Sequence, residues 1–288
     1  MTEIGIIRLG RMGSAVASTL MANGTPLLLW NRTRARAEQT AGAKIAASVP
    51  EVFMRCRLVL LMVFDHAAAE DLLKANRDRL GGRYIAMLTD VAPRESAALA
   101  ALVAQAGGNY VEAQIYATAD EVAAHRAWGL VAGSDTGPTD RVASLLEGIG
   151  RVRRLGAPPA ASAMKIAVLN LFLALLPAIG ASAALVQRRG LPDEAFIDIL
   201  SDDSAFPPFV GDLVRRMTRR DFAQPINDLR GITKDLAVLV TELSDSGLPL
   251  AATLSAPLGD LLQRAIAAGR GGDDICTLID LFQAKRAG

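Results

Sequence analysis

The segment Glu3-Ile4-Gly5-Ile6-Ile7-Arg8-Leu9-Gly10-Arg11-Met12-Gly13 runs an apolar stretch into closely spaced glycines and then into a helical pattern. A buried strand that bends sharply onto a helix start accounts for all three features. In such a turn the first helical N–H groups have no partner within the helix and face outward, ready to hold a pyrophosphate. Gly10 and Gly13 stand where close backbone approach and tight helix packing exclude a side chain, and Arg8 occupies the place where the turn usually has its first glycine. With a negative φ the arginine would point outward; with a positive φ it would be strained by roughly 1 to 3 kcal/mol.

The pattern that follows repeats this strand-to-helix alternation. Ile4 to Ile7 precedes a helical stretch from Ser14 to Ala22, Leu27 to Trp30 precedes Ala35 to Thr40, and Leu58 to Val63 precedes Ala67 to Asn76. Tyr84 to Leu88, Glu95 to Ala106, Tyr110 to Ile115, Gly129 to Ala132 and Thr139 to Leu146 continue it. Strands alternating with helices imply an α/β, doubly wound, mainly parallel sheet. Beyond Leu155-Gly156-Ala157-Pro158-Pro159 strand signals stop, and helical stretches are separated by Gly190-Leu191-Pro192, Phe206-Pro207-Pro208 and Gly247-Leu248-Pro249. Two domains are expected, 1–157 binding the nucleotide and 158–288 all helical.

Composition narrows the partners. The 288 residues carry a net charge of +1, which gives no footprint for nucleic acid or an anionic membrane, so a small-molecule partner is expected. Cys56 and Cys276 have no disulfide or metal spacing, and no secretory signal precedes the first strand, so a reducing cytoplasm is expected. Ile166 to Val186 is a charge-free run of 21 residues, long enough to cross a bilayer. Its Asn170, Pro177 and many alanines suit a helix buried on all sides inside a protein or dimer better.

A glycine turn alone is a weak signal, and the end of the second strand strengthens it. Trp30-Asn31-Arg32-Thr33-Arg34 lacks the carboxylate that would bind ribose hydroxyls and repel a 2′-phosphate. Asn31, Arg32 and Thr33 supply donors and positive charge instead, which favours NADP over NAD. Arg32, Arg34 and Arg36 stand at a helix start, where the dipole gives cations nothing, so a ligand phosphate explains them better than helix stability.

Taken in order, these blocks resemble the β-hydroxyacid dehydrogenases and the related imine reductases over nearly the whole chain. Leu9-Gly10-Arg11-Met12-Gly13 looks like their nucleotide turn, Trp30-Asn31-Arg32-Thr33 like their NADP-preferring strand end, and Leu88-Thr89-Asp90-Val91-Ala92-Pro93 like the loop at the nicotinamide side. Lys165 follows Gly156 at the spacing of the catalytic lysine, Lys234-Asp235-Leu236 matches the late Lys-Asp pair, and Gly271-Gly272-Asp273-Asp274 with Leu278-Ile279 matches the closing helix. The resemblance implies an N-terminal Rossmann domain, a helical domain and a homodimer interlocked through the latter. It places Arg8, Leu9, Gly10, Arg11, Met12, Asn31, Arg32, Thr33, Val63, Phe64, Thr89 and Lys234 on the cofactor. Tyr116, Ala117, Thr118 and Leu169 fall on the substrate, and Lys165 becomes the acid that protonates oxygen as hydride reaches carbon.

Departures from the pattern bear on the substrate. Tyr116, Ala117 and Thr118 stand where the dehydrogenases hold a carboxylate with a serine and two glycines, and Leu169 replaces an asparagine one turn beyond the lysine. Asn170 points roughly 100° away around the helix. Thr89-Asp90 replaces the usual Ser-Thr, while the Leu88 loop, Asp65-His66 and the Gly-Gly-Asp-Asp segment resemble imine reductases. The expected substrate is a ketone, aldehyde, keto acid or imine, with carbonyl reduction placed ahead of imine reduction. A non-catalytic nucleotide- or protein-binding member is the alternative class. His66 and His125 are expected on the surface or in loops, and Asp202-Asp203 before Ser204 is expected to cap a helix or lie in a loop.

Overall fold

The computed structural model describes residues 3–202, 208–223, 225–248 and 253–283. The chain forms two compact units, Met1–Ile166 and Ala167–Gly288.

The first unit is built on one sheet whose strands are β1 Ile4–Ile7, β2 Leu27–Trp30, β3 Lys44–Ile45, β4 Leu58–Leu61, β5 Tyr84–Met87, β6 Asn109–Tyr116, β7 Ala127–Gly133 and β8 Gly150–Arg154. They lie in the order β3-β2-β1-β4-β5-β6-β7-β8. The strands from β3 to β6 are mutually parallel, β7 runs antiparallel to β6, and β8 is parallel to β7. β1 and β4 are buried throughout, which is why Ile4-Gly5-Ile6-Ile7 and Leu58-Val59-Leu60-Leu61 are unbroken apolar runs without alternation.

Helices cover both faces. Ile4, Ile6, Leu29, Leu58 and Leu60 point to one side, where they pack with Val16, Ala17 and Leu20 of α1 (Arg11–Ala22) and Val142 and Leu146 of α7 (Thr136–Leu146). Ile7, Leu28, Val59 and Leu61 point to the other. There they meet Phe53 of α3 (Val49–Arg55), Leu73 of α4 (His66–Ala75), and Leu99 and Val103 of α5 (Pro93–Gln105). Two further short helices complete the unit, α2 (Arg34–Glu38) after β2 and α6 (Ala119–Ala123) after β6. Strand order reverses between β1 and β4, and the crevice beyond their C-terminal ends is where doubly wound sheets receive ligands.

The sequence pattern did not announce β3, α3, α6 or β8. β3 has two residues, too few for any periodicity, and β8 is an edge strand whose Arg151, Arg153 and Arg154 are exposed. Charged residues on an edge discourage pairing with other chains, and they also hide the strand from an apolar search.

The second unit is helical. α8 (Ala160–Arg188) begins in the first unit and continues through the division, followed by α9 (Asp193–Asp202), α10 (Pro208–Arg219), α11 (Leu229–Asp245), α12 (Ala256–Ala267) and α13 (Ile279–Gln283). Among its described residues there is no strand, only a bridge between Asp228 and Asp274. α9 and α10 pack closely enough that a Cβ on Gly211 would lie 2.5 Å from Ser201 Oγ. The buried carboxylate of Asp274 gathers the closing segment by accepting from Cys276 N at 2.8 Å and from Ile226 N, with Arg216 Nη2 at 3.6 Å. Phe206, Pro207, Asp203, Ser204 and Pro249, all noted in the sequence, lie outside the described residues.

α8 is long and apolar enough to span a bilayer, but within one chain it is not buried on all sides. Ile166, Leu173, Leu176 and Ile179 are covered, whereas Met164, Leu171, Leu175 and Leu185 are exposed.

Candidate active site

The glycine turn is tied to the neighbouring strand end by one side chain. Asn31 Oδ1 accepts from Leu9 N at 2.9 Å, Asn31 Nδ2 donates to the Thr33 carbonyl at 2.9 Å, and Arg8 N donates to the Trp30 carbonyl at 2.8 Å. Arg8 has φ 77°, so the strained branch of the two alternatives holds. Gly13 is needed for packing, because a Cβ there would lie 2.9 Å from the Arg8 carbonyl oxygen. Gly10 is different: a Cβ on it meets nothing within 4 Å, so the space beside it is open to a ligand.

The electrostatics around the turn suit an anion. α1 has no acidic residue in its first turn and no side-chain cap at Gly10, leaving its leading N–H groups available. Arg8, Arg11, Arg32 and Arg36 pair with no carboxylate among the described residues, while Arg34 pairs with Glu38 at 2.8 Å. Leu9 is buried and Met12 half-buried, so these two offer backbone, whereas Arg32 and Thr33 are exposed. Open space at Gly10, an uncapped helix start and four uncompensated guanidiniums fit a dinucleotide with an additional phosphate.

Further along the same edge, the loop after β5 is held from both sides. The Thr89 hydroxyl is buried and donates to the Val63 carbonyl at 3.1 Å, while Gln114 Nε2 donates to the Thr89 carbonyl at 3.1 Å and to that of Met87 at 3.4 Å. Thr89 thus holds the loop with its side chain. Val63 is buried, and Phe64 stands exposed just before Asp65, which caps α4 through Ala68 N at 2.9 Å. The next residue of the loop, Asp90, forms an ion pair with Lys165 Nζ. The Lys165 side chain is 13% exposed and that of Asp90 29%, so the pair is largely withdrawn from water yet open to it on one side.

The residues expected to touch substrate are engaged differently from one another. Thr118 is spent on a capping box: its N–H and hydroxyl donate to Glu121 Oε2 at 2.7 and 3.0 Å, and its oxygen accepts from Glu121 N at 3.2 Å. Ala117 packs against the core, and Tyr116 is half-buried, with burial and then the charge of Glu121 pushing its hydroxyl above the ordinary phenol range. Leu169 is half-buried on α8 and Lys234 lies on α11 with Nζ 3.4 Å from Asp235 Oδ1; both belong to the second unit.

Sequence reasoning missed Glu112. This carboxylate is fully buried on β6 and accepts from Ser96 Oγ at 2.5 Å, Ser162 Oγ at 2.6 Å and Ala161 N at 2.9 Å. The signal was present, since Glu112 and Gln114 are the two polar residues inside the apolar run from Tyr110 to Ile115. The surface expectation for His66 is corrected: it opens α4, half-buried, with Nδ1 enclosed and without a hydrogen-bond partner among the described residues. His125 is exposed, with Nδ1 2.9 Å from the Gly148 carbonyl. Among the described residues no cluster of His, Cys, Asp and Glu could hold a metal.

Fold and site together define a Rossmann-type dinucleotide-binding protein with a helical second unit. Residues 3–162 match the NAD binding domain of 6-phosphogluconate dehydrogenase, and residues 157–284 match the C-terminal domain of NADPH-dependent reductive aminase-like proteins. The chain therefore belongs to the 6-phosphogluconate dehydrogenase-like superfamily that contains the β-hydroxyacid dehydrogenases and imine reductases.

Individual relatives carry more than one activity. The NADPH-dependent reductive aminase of Aspergillus oryzae is 25% identical over 99% of this chain and 98% of that protein. The cytokine-like nuclear factor N-PAC of Homo sapiens is also 25% identical over 95% of this chain, which spans 50% of that longer protein. Among solved structures, the reductive aminase of Aspergillus terreus in complex with NADPH and ethyl levulinate is 30% identical with a TM-score of 0.67, covering 98% of this chain and 99% of that one. Mycobacterium tuberculosis 3-hydroxyisobutyrate dehydrogenase shares the fold, with a TM-score of 0.85 at 19% identity over 99% of this chain and all of that one.

Proposed function

We propose that this chain is an NADPH-dependent reductase that adds hydride to a carbonyl carbon, with Lys165 protonating the oxygen. The observation that carries this reading is the Lys165–Asp90 ion pair on the loop beyond the C-terminal end of β5, the same sheet edge that bears the glycine turn. Bound NADPH supplies the hydride. The backbone of the turn from Arg8 to Met12 would hold the pyrophosphate, Asn31, Arg32 and Thr33 would hold the 2′-phosphate, and Val63, Phe64 and Thr89 would line the nicotinamide side. Lys234 is assigned to the cofactor on family resemblance.

As negative charge grows on the substrate oxygen, the Lys165 ammonium stabilises it and transfers a proton, leaving a neutral amine and an alcohol. Asp90 orients the ammonium through their ion pair, and water on the open side returns the proton after product leaves. Tyr116, Ala117 and Leu169 shape the substrate contact. Because Thr118 has committed its polar groups to Glu121, the carboxylate of an acid substrate finds little to hold it there.

A second reading, reduction of C=N, is favoured by the match of residues 157–284 to reductive aminase-like proteins. The same lysine would then protonate nitrogen. A homodimer in the cytoplasm completes the proposal; the free thiols of Cys56 and Cys276 accord with a reducing compartment.

The test pairs a fluorescence titration with NADPH and NADH with a turnover screen of keto acids, neutral ketones, aldehydes and cyclic imines. Lys165→Ala is expected to lower kcat by about 10²- to 10⁴-fold while the Kd for NADPH stays within about twofold. Undiminished turnover in this variant would remove Lys165 from the chemistry. Tight NADPH binding without turnover of any substrate would favour the non-catalytic class, to which the likeness to N-PAC lends support.

A further inference from the structure

We propose that Glu112 is a positioning residue for Lys165: its carboxylate seats the first turn of α8 on β6 and so fixes where the ammonium meets Asp90. The inference rests on the reading of Lys165 as proton donor.

Glu112 gathers three donors from two helices. Ser96 belongs to α5, and Ala161 and Ser162 belong to the first turn of α8. Behind Ser96 stands Tyr110, whose hydroxyl lies 2.8 Å from Ser96 Oγ. Burial, assisted by the charge of Glu112, pushes the Tyr110 hydroxyl above its ordinary range despite the bond to Ser96, so it stays protonated. Tyr110 therefore donates to Ser96, and Ser96 has its own hydrogen left for Glu112. A carboxylate suits this place twice over, since it only accepts and it faces the positive end of a 29-residue helix.

The connection to Lys165 is short and stiff. Ser162 and Lys165 are three residues apart on α8 and so share a face of the helix. Ala161 is fully buried against Leu130 and Ala132 of β7, which prevents this turn from sliding. Two residues along β6, on the same face as Glu112, Gln114 holds the loop that carries Asp90. Glu112 and Gln114 thus set the two partners of the ion pair from one face of one strand. A buried charge costs stability unless fully compensated, and apolar side chains would fill a purely structural position at lower cost.

The experiment compares Glu112→Gln, Lys165→Ala and the double variant, with Ser162→Ala as a milder probe that removes a single bond to the carboxylate. Gln keeps the shape but replaces one accepting oxygen with an NH2 group, which cannot accept from the donor that faces it. We expect Glu112→Gln to lower kcat by about ten- to a hundredfold, with the Kd for NADPH within about twofold, and Ser162→Ala to have a smaller effect in the same direction. In the Lys165→Ala background the Glu112 substitution should lower kcat no further. Reductive methylation followed by mass spectrometry supplies a readout apart from activity: Lys165 should react faster in Glu112→Gln and Ser162→Ala, with Lys44 and Lys74 unchanged. Full additivity with Lys165→Ala, or methylation that rises equally at all lysines, would overturn the proposal by showing a general loss of structure. Turnover surviving in Lys165→Ala would instead end the reading of Lys165 as proton donor, and the methylation pattern would still decide whether Glu112 holds that lysine in place.

Discussion

Arg8 holds a left-handed backbone at the one point of the nucleotide turn where a glycine would be free of strain. Relief of that strain, less the entropy a glycine adds to the unfolded chain, should make Arg8→Gly more stable by about 1 kcal/mol. Thermal unfolding should then rise by roughly 2 to 4 °C. NADPH affinity should tighten or stay nearly the same, as judged by fluorescence titration; a large loss would identify Arg8 as a phosphate ligand. The two following glycines separate packing from binding. Gly10→Ala, with open space around its Cβ, should leave stability within about 0.5 kcal/mol and weaken NADPH by about tenfold or more. Gly13→Ala, facing the Arg8 carbonyl at 2.9 Å, should cost about 1 to 3 kcal/mol of folding stability in a denaturant titration.

Elements were legible where their periodicity was long and their burial uniform. The runs that became β1, β2, β4 and β5 are apolar because helices cover both faces, and α1, α4 and α5 carry a stripe that answers them. α3 was hidden although Ser48 accepts from Glu51 N at 3.3 Å, because Val49-Pro50-Glu51 reads as a break when the proline is in fact in the helix's first turn. At the site, the glycine turn and Asn31 stand out in the sequence because they lie at fixed distances from strand ends, whereas Lys165 comes forward only through the family resemblance. Glu112 and Gln114 are visible as polar residues in the apolar run of β6, but their partners, like the pairing of Asp90 with Lys165, are not, because these depend on which strands lie side by side and which side of β6 faces α8. α3 also carries a measurable consequence, for it ends at Cys56, packed beneath Gly5 of β1. Burial pushes the Cys56 thiol up to about 11, and Cys276 is raised by burial and by Asp274. Native protein should therefore release no colour from Ellman's reagent at pH 8, and two thiols should react after denaturation. Between the ordinary 9.0 and about 11 the unfolded chain loses a Cys56 proton that the folded chain keeps, so stability should fall as pH rises through that window.

For the molecule as a whole, the outstanding question is what covers α8. Leu171, Leu175, Ala178 and Leu185 recur at three, four and seven residues, which places them on one stripe, and Leu171 is 66% and Leu175 37% exposed. A continuous apolar stripe on a long helix is costly in water and marks an association surface. Two partners suit it, a bilayer or a second copy of the chain. Insertion would require α8 to give up the face it already buries through Leu173, Leu176 and Ile179, whereas pairing of two copies covers the exposed stripe and leaves that packing intact. We therefore expect sedimentation velocity without detergent to give a species of twice the 30.3 kDa chain mass. Leu171→Lys combined with Leu175→Lys should shift it to the monomer and remove the rise of Tm with protein concentration that an associating protein shows. A wild-type protein that sediments as a monomer at all concentrations, or that stays soluble only in detergent, would refute self-association through this helix.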